Sequence, residues 1–178
     1  KDWKINDFTK RHEQYHDFRK PNIISISNNE VELILYFHES KFHSNEKAFY
    51  GFNKGIIEDV IDHIKTNPER KIYFYLYLML DTDETILSFA LPIFLIKNNE
   101  NDISISEEGQ YKLNIINKKN KYYLRLKNNP NEDLFGFMKN VNQLFDKELM
   151  EEYSKQQERF FDKKSAQEEL LKKLKLKS

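Results

Sequence analysis

The sequence predicts an α+β domain: a single antiparallel, meander-like sheet of about five to six strands, packed by helices and followed by a long C-terminal helix. Several segments alternate apolar and polar residues with a period of two, as strands do. Most of these segments are joined by short polar turns, which make neighbouring strands antiparallel. Segments with helical spacing precede, interrupt and follow the strands, an order typical of helices layered on one sheet.

The composition supports a folded domain and gives no overall charge preference. The 178 residues are 39% hydrophobic and 14% aromatic, enough for a core. Twenty-nine basic residues balance 29 acidic ones, so no chain-wide attraction to nucleic acid or anionic membranes is expected. The absence of Cys excludes disulfides and thiolate chemistry, and the four glycines form no phosphate-binding or dinucleotide-binding motif.

The compartment is not determined by the sequence, although the cytoplasm is favoured. The sequence begins at Lys1, so a signal peptide or anchor upstream would not be visible in it. We expect membrane association only through such an upstream segment.

The first part of the chain predicts a helix, a hairpin and a second helix. Residues 1–20 show helical spacing and end at Pro21. Residues 23–38 alternate around a turn at Asn28 and Asn29, which predicts a hairpin, and residues 40–50 read as a polar loop. A helical stripe of apolar residues follows and ends before Pro68; it comprises Ile56, Ile57, Val60, Ile61 and Ile64.

The central strands are predicted to be apolar on both faces. Residues 72–80 carry Ile, Phe and Leu side chains on one face and Tyr73, Tyr75, Tyr77 and Met79 on the other. No basic residues interleave this tyrosine row, so we expect it to pack in the core rather than to stack on bases. Residues 86–97 are also apolar on both faces, and Pro92 indicates an edge strand or a bulge.

The remaining elements are a short strand, a second hairpin and the long helix. Residues 103–105 read as the strand, and residues 111–127 as the hairpin, with Leu113 and Ile115 facing Leu124 and Leu126. A helix is predicted from Pro130 onward, with apolar positions at Leu134, Met138, Val141, Phe145 and Leu149. Its composition becomes mostly charged near Tyr153, which divides a compact domain (1–153) from a charged helical extension (154–178). This order of elements is similar to that of longin-like and profilin-like domains, in topology only.

A short acidic motif follows the tyrosine strand. The run Asp81-Thr82-Asp83-Glu84-Thr85 resembles the motif that opens the active site of haloacid dehalogenase-type phosphotransferases. The resemblance implies Asp81 as nucleophile and Asp83 as general acid and base, beside Mg²⁺. That family also needs parallel strands alternating with helices, whereas hairpin patterns follow here. We therefore predict a polar hairpin turn and keep a Mg²⁺-dependent phosphotransferase as the alternative function.

A second motif lies near the beginning of the sequence. The run His12-Glu13-Gln14-Tyr15-His16 resembles the zinc-binding helix of metallopeptidases, in which the two imidazoles bind zinc and the Glu polarises water. Only eleven residues precede His12, the flanking residues are charged, and no third ligand is marked. We predict an amphipathic helix with surface or half-buried His residues.

The charged extension predicts a protein-binding role. A mostly charged helix gains little stability by itself, so its isolated apolar residues are expected to contact a partner protein or a second copy of the chain. These partner-binding residues are Phe160, Phe161, Leu170, Leu171 and Leu174. The sequence therefore predicts a non-enzymatic assembly or adaptor domain without a cofactor, metal or evident small-molecule substrate. Nucleic-acid binding through the tyrosine row and the basic C-terminal tail is a further, less favoured alternative.

Overall fold

The computed structural model describes residues 4–7, 22–43 and 46–175, and within these ranges it contains ten strands and three α-helices. The strands are β1 (Lys4–Asp7), β2 (Asn22–Ser27), β3 (Val31–Lys41), β4 (Lys47–Asn53), β5 (Lys71–Asp81), β6 (Ile86–Pro92), β7 (Ser104–Ile105), β8 (Gln110–Lys118), β9 (Lys121–Leu124) and β10 (Glu132–Asp133). The helices are α1 (Lys54–Thr66), α2 (Ile93–Asn98) and α3 (Lys147–Lys175). Short 3-10 turns cover Glu100–Asp102, Phe135–Phe137 and Val141–Phe145.

The α+β class is confirmed, but the strands form two sheets rather than one. Sheet A has the order β1-β2-β3-β5-β6, and sheet B has the order β10-β9-β8-β4, with β7 also beside β8. Most pairs are antiparallel, whereas β3 and β5 run parallel across eleven register positions. The prediction of a single meander was wrong because β4 and α1 form a crossover between β3 and β5, and β4 joins sheet B.

The segment predicted as a polar loop contains most of this crossover strand. Residues 47–50 belong to β4, whose alternate residues Ala48, Tyr50 and Phe52 are buried. Polar residues immediately before β4 obscured this alternation in the sequence. Helix α1 follows at once: the side chain of its N-cap Asn53 accepts a hydrogen bond from the Ile56 N–H at 3.1 Å.

The first core fills the space between the two sheets and the helices. All five apolar positions predicted for α1 are buried in it. Side chains from sheet A, sheet B and α2 complete this core, among them Ile34, Phe74, Leu76, Tyr50, Leu113, Ile115 and Ile96. The hairpin of β8 and β9 pairs Ile115 with Leu124, as the sequence predicted.

The second core lies on the opposite face of sheet A and contains the tyrosine row. Tyr73, Tyr75 and Tyr77 are buried together with Phe94 of α2 and Tyr153 of α3. The expectation that the row packs is confirmed. Both faces of β5 are covered, one by each core.

Tyr153 also completes the hydrogen bonding of β5. Strand β6 pairs with β5 only from Tyr75 to Asp81. One residue before this ladder, the Tyr153 hydroxyl donates to the Phe74 carbonyl and accepts from the Phe74 N–H, both at 2.9 Å. Burial raises the pKa of Tyr153 well above its ordinary value, so the hydroxyl keeps the proton that it donates.

Two predictions about the helices near the N-terminus and after β6 need correction. Lys4–Asp7 is a strand, antiparallel to β2, rather than part of a helix; the rest of the predicted helix 1–20 lies outside the described residues. The segment 86–97 is a strand only to Pro92, and α2 begins at Ile93. Strand β6 is an edge strand, the position that Pro92 indicated.

The long helix begins 17 residues after Pro130, at Lys147. Local hydrogen bonds between side chains and the backbone explain why the helix begins later in the chain than predicted. Asn140 forms a capping box with Gln143 around a 3-10 turn, and the Asp146 side chain then caps α3 by accepting from the Leu149 N–H at 3.0 Å. The helix continues without interruption through Tyr153. The division into domains at this residue stays a prediction.

Replacing Tyr153 with Phe should destabilise the fold. The ring would keep its aromatic neighbours, but the Phe74 N–H and carbonyl would lose their partner in a buried place. We expect the free energy of unfolding to fall by about 1–3 kcal/mol. Urea unfolding followed by circular dichroism measures this. The control is Tyr123→Phe on a partly exposed ring, with a change below about 0.5 kcal/mol; equal effects would contradict the role given to the Tyr153 hydroxyl.

Candidate functional site

Helix α3 is held on the body by its first half. Its 29 residues span about 43 Å at 1.5 Å per residue. Tyr153 is buried, and the neighbouring Ser154 hydroxyl lies 3.2 Å from the Tyr73 hydroxyl. Leu149 and Met150 pack on the margin of the second core. These contacts fix the direction in which the rest of the helix leaves the sheet.

The five predicted partner-binding residues fall into two groups. Phe160 and Phe161 are partly buried and contact each other with ring centroids 5.4 Å apart. Phe160 packs beside the second core and Phe161 beside the first, so both help to seat α3 on the body. Leu170, Leu171 and Leu174 lie farther along, with 59%, 57% and 57% of their surface exposed.

We call residues 165–175 the arm, because every one of them is exposed. The three leucines lie on one side of this helical segment, at positions i, i+1 and i+4. An exposed ion pair joins Lys173 Nζ to Glu169 Oε1 at 2.7 Å. The arm thus presents an apolar side on an otherwise charged helix.

The acidic motif forms the predicted hairpin turn between β5 and β6. The Thr82 N–H donates to the Thr85 carbonyl at 3.0 Å, and Asp83 has a left-handed backbone with φ of 67°. One Asp81 carboxylate oxygen accepts from the Asp83 N–H at 3.0 Å. These contacts are those of an acidic turn residue, and they add no support to the phosphotransferase alternative.

The structure adds no support to the two metal-binding hypotheses, a Mg²⁺ site at Asp81 and Asp83 and a zinc site at His12 and His16. Across the described ranges, no group of three or more His, Asp or Glu residues is placed to hold a metal ion. The motif from His12 to His16 lies outside the described residues.

A charged cluster, which the sequence did not predict, lies where α1, α2 and sheet B meet. We call it the Lys97 cluster. Lys97 has only 8% of its side chain exposed. Its Nζ atom donates to Glu58 Oε1 at 2.7 Å, to Glu100 Oε2 at 3.0 Å and to the Tyr111 hydroxyl at 3.2 Å. Tyr111 donates to Glu100, and Lys54 Nζ lies 3.2 Å from Glu100 Oε1.

The cluster holds Lys97 and Glu100 in their charged forms. Burial opposes the charge on Lys97, but the hydrogen bonds from Lys97 to Glu58, Glu100 and Tyr111 outweigh it and raise its pKa. Burial likewise opposes the charge on Glu100, but hydrogen bonds from Tyr111 and Lys97 lower its pKa from 4.5 to about 2. A lysine that stays protonated is a poor nucleophile or base. The geometry therefore favours a structural role in which the cluster joins α1 and α2 to sheet B.

A second buried ionic group fastens the end of α1 to sheet A. Glu32 has 4% of its side chain exposed and accepts from Ser25 Oγ at 2.7 Å. His63 Nε2 lies 3.1 Å from Glu32 Oε2, and Arg70 lies 3.3 Å from the same oxygen. Serine bonds to the carboxylate rather than to the imidazole, so this set lacks the arrangement of a serine nucleophile activated by histidine.

Sequence reasoning missed both ionic groups because their members are far apart in the chain. Glu58 and Lys97 are 39 positions apart, and Glu32 and His63 are 31 apart. Each residue alone looks like an ordinary surface charge. Only the crossover of α1 and the turn after α2 bring them together.

Two depressions border the first half of α3. A cleft of about 90 Å³ lies between α3 and the turn Phe135–Phe137, with Phe94, Leu149 and Tyr153 among its lining residues. This volume would hold a few water molecules rather than a drug-sized ligand. A larger and more open depression of about 720 Å³ follows residues 139–149, and six of its eight lining side chains are polar.

Comparison of the chain with protein-family models, curated proteins and solved structures found no match. In the part of the chain that the structure describes, no helix combines the length and apolar character needed to cross a membrane.

Removing the charge of Lys97, the central cation of the Lys97 cluster, should destabilise the protein. In Lys97→Met, Glu58 and Glu100 lose their shared partner while remaining partly shielded from water. Breaking a fully buried pair costs about 3–5 kcal/mol, and partial exposure of these carboxylates should reduce the loss to about 1–3 kcal/mol. Urea unfolding gives the value.

The matched control is Lys173→Met. Its pair with Glu169 is exposed, with 67% and 68% of the two side chains accessible. We expect a change below about 0.5 kcal/mol. If both variants lose the same stability, burial does not strengthen the cluster.

Acid should weaken the cluster through Glu100. Because folding lowers the pKa of this carboxyl from 4.5 to about 2, its contribution to stability is present above pH 4.5 and disappears as pH falls towards 2. Glu100→Gln lacks this contribution, so the stability difference from wild type should shrink between about pH 6 and about pH 2.5. Urea unfolding across that range tests it, with Glu169→Gln as an exposed control. A difference independent of pH would contradict the linkage.

Proposed function

We propose that the chain is a non-catalytic assembly or adaptor domain whose arm binds an apolar groove on a partner protein. The observation that carries this proposal is the row of three leucines, 57–59% exposed, on one side of the arm. A helix that lays one apolar side into a groove is a common mode of protein recognition.

The energetic argument starts from the exposed leucine surface. Full burial of a leucine side chain contributes about 1.5–3 kcal/mol, so covering the exposed part of three would contribute on the order of 3–5 kcal/mol. That contribution is large beside the few tenths of a kcal/mol expected from the Lys173 and Glu169 pair. Binding of a partner would therefore stabilise the arm more than its own side-chain pairs do.

The body supports this role by keeping the arm in a defined place. An isolated helix as short as the eleven residues of the arm is marginal in water. Here the helix is already nucleated by the packed half of α3, where Tyr153, Phe160 and Phe161 contact the body. A partner would bind a helix that is already formed and whose direction is set, which lowers the entropy lost on binding.

A partner protein fits the arm better than a second copy of the same arm. Stable interfaces bury about 1,000 Å² or more in total. Two arms crossing at three leucines each would fall short of that area, whereas a groove can surround one helix on several sides. The last turn carries Lys172, Lys173 and Lys175, so we expect acidic residues at that end of the groove.

Substitution of the leucines tests the proposal in the full chain. The variant Leu170→Ala/Leu171→Ala/Leu174→Ala keeps helix-forming residues and removes the apolar side. We expect affinity for the partner to fall at least about tenfold, with the free energy of unfolding changed by less than about 0.5 kcal/mol. Partners are captured from cells of the source with the wild-type chain and their affinities are then titrated with each variant.

The matched control is Ser165→Ala/Glu168→Ala, which truncates two exposed polar side chains of the arm outside its last turn. It should bind within about twofold of wild type. Equal binding by the leucine variant would refute the proposal. If sedimentation instead reveals a dimer that only the leucine variant dissociates, the arm joins two copies of the chain rather than entering a partner's groove.

A further inference from the structure

The outer face of sheet B carries a cationic and aromatic surface that is separate from the arm. Inner residues of β4, β8 and β9, such as Tyr50, Leu113 and Leu124, are buried in the first core. Because side chains alternate along a strand, their neighbours point outward. The outward set, which we call the sheet B face, is Lys47, Phe49, Lys112, Asn114, Ile116, Tyr123 and Arg125. Ile116 is buried, with 8% of its surface exposed, and the other six are partly or fully exposed.

The strand register places six of these residues in two rows, and Lys112 in the next row, paired with Gly51. Ile116 is paired with Lys47 on one side and with Tyr123 on the other. Phe49 is paired with Asn114, and the Arg125 N–H continues the ladder by donating to the Asn114 carbonyl at 2.9 Å. Since neighbouring strands are about 4.8 Å apart, each row is about 10 Å wide. Phe49 and Tyr123 thus stand on opposite sides of β8 in adjacent rows.

The charge around this face is strongly one-sided. Residues 110–127 contain six basic residues and no acidic one, in a chain whose net charge is zero. The six are Lys112, Lys118, Lys119, Lys121, Arg125 and Lys127. The acidic residues nearest in the strand register lie at the margins: Asp133 is paired with Tyr123, and Glu46 precedes β4.

Aromatic rings are accessible on the same face. Phe49 has 51% of its surface exposed, and the exposed ring of His43 lies against it with centroids 5.6 Å apart. Tyr123 is partly exposed. Such a ring offers a stacking surface to a planar ligand.

We propose that the sheet B face binds single-stranded nucleic acid. Bases would stack on Phe49 and Tyr123, and phosphates would pair with Lys112 and Arg125 and with lysines at the β8–β9 turn. A flat sheet that combines exposed rings with surrounding cations is a common way to bind single strands without sequence preference. Among the residues of the sheet B face, Phe49 is the one large exposed apolar side chain, which is too little to insert into a membrane. A nucleic acid therefore matches the charge of this face better than a lipid surface does.

Fluorescence anisotropy tests binding to labelled single strands of about 20 thymidines or uridines. Contacts with three to four phosphates predict that the logarithm of affinity falls with the logarithm of salt concentration with a slope of about −2 to −3. The variant Lys112→Glu/Arg125→Glu should weaken binding more than about tenfold at low salt. Its control, Lys172→Glu/Lys173→Glu on the arm, makes the same change in net charge and should alter affinity less than about threefold.

Substitutions of Phe49 distinguish the contribution of ring stacking to binding from that of charge. Phe49→Leu keeps an apolar side chain without a ring and should weaken binding about fivefold or more, whereas Phe49→Tyr should bind like wild type. The residue is exposed, so neither change should affect folding, which thermal unfolding checks.

Three results would overturn the proposal: no binding at about 20 mM salt, equal losses in the sheet B face variant and the arm control, or equal affinity of Phe49→Leu and wild type. Vesicles with about 30% phosphatidylserine serve as the comparison. If they bind through the same residues while the oligonucleotides do not, the surface recognises lipid instead. The leucine variant of the arm should leave oligonucleotide binding unchanged, so this test and the partner test fail independently.

Discussion

The paired hydrogen bonds between Tyr153 and Phe74 link the long helix to the centre of the fold. Strand β5 is buried on both faces, and an unpaired N–H and carbonyl there would be costly. Strand β6 stops pairing at Tyr75 because the chain turns into α2 after Pro92. The Tyr153 hydroxyl takes over at Phe74 and thereby fixes where α3 crosses the sheet. The tyrosine row, the seat of Phe160 and Phe161 and the direction of the arm all depend on that position.

A second constraint comes from the parallel pairing of β3 and β5. Parallel neighbours need a long crossover, and here β4 and α1 provide it. Because β4 pairs with β8, the crossover also creates sheet B. Its junction with α1 and α2 is where the Lys97 cluster lies, and its outer side is the sheet B face. One change of direction in the chain therefore produces the second sheet, the buried ionic cluster and the cationic surface.

Local features were predictable from the sequence wherever one pattern dominated. The stripe from Ile56 to Ile64, the strand of alternating tyrosines and the turn at Asp81 follow from periodicity and turn chemistry, and each is confirmed. The two-sheet arrangement was not predictable, because no local signal shows that β4 leaves sheet A. The start of α3 was misplaced because apolar residues at helical spacing, such as Leu134 and Met138, lie in a region where Asn140 and Asp146 favour caps over helix.

The candidate surfaces differ in how visible they are in the sequence. The arm leucines could be identified because they interrupt a charged helix. The cationic run over residues 110–127 was equally readable, but the balance of 29 basic and 29 acidic residues concealed it when charge was summed over the whole chain. Its placement on one side of a sheet required the register of β4, β8 and β9, which puts Phe49 beside Asn114 and in the same row as Arg125, 65 and 76 positions later in the chain. A net charge of zero therefore conceals a local excess of basic residues at 110–127. A partner interacts with this local charge rather than with the net charge of the chain.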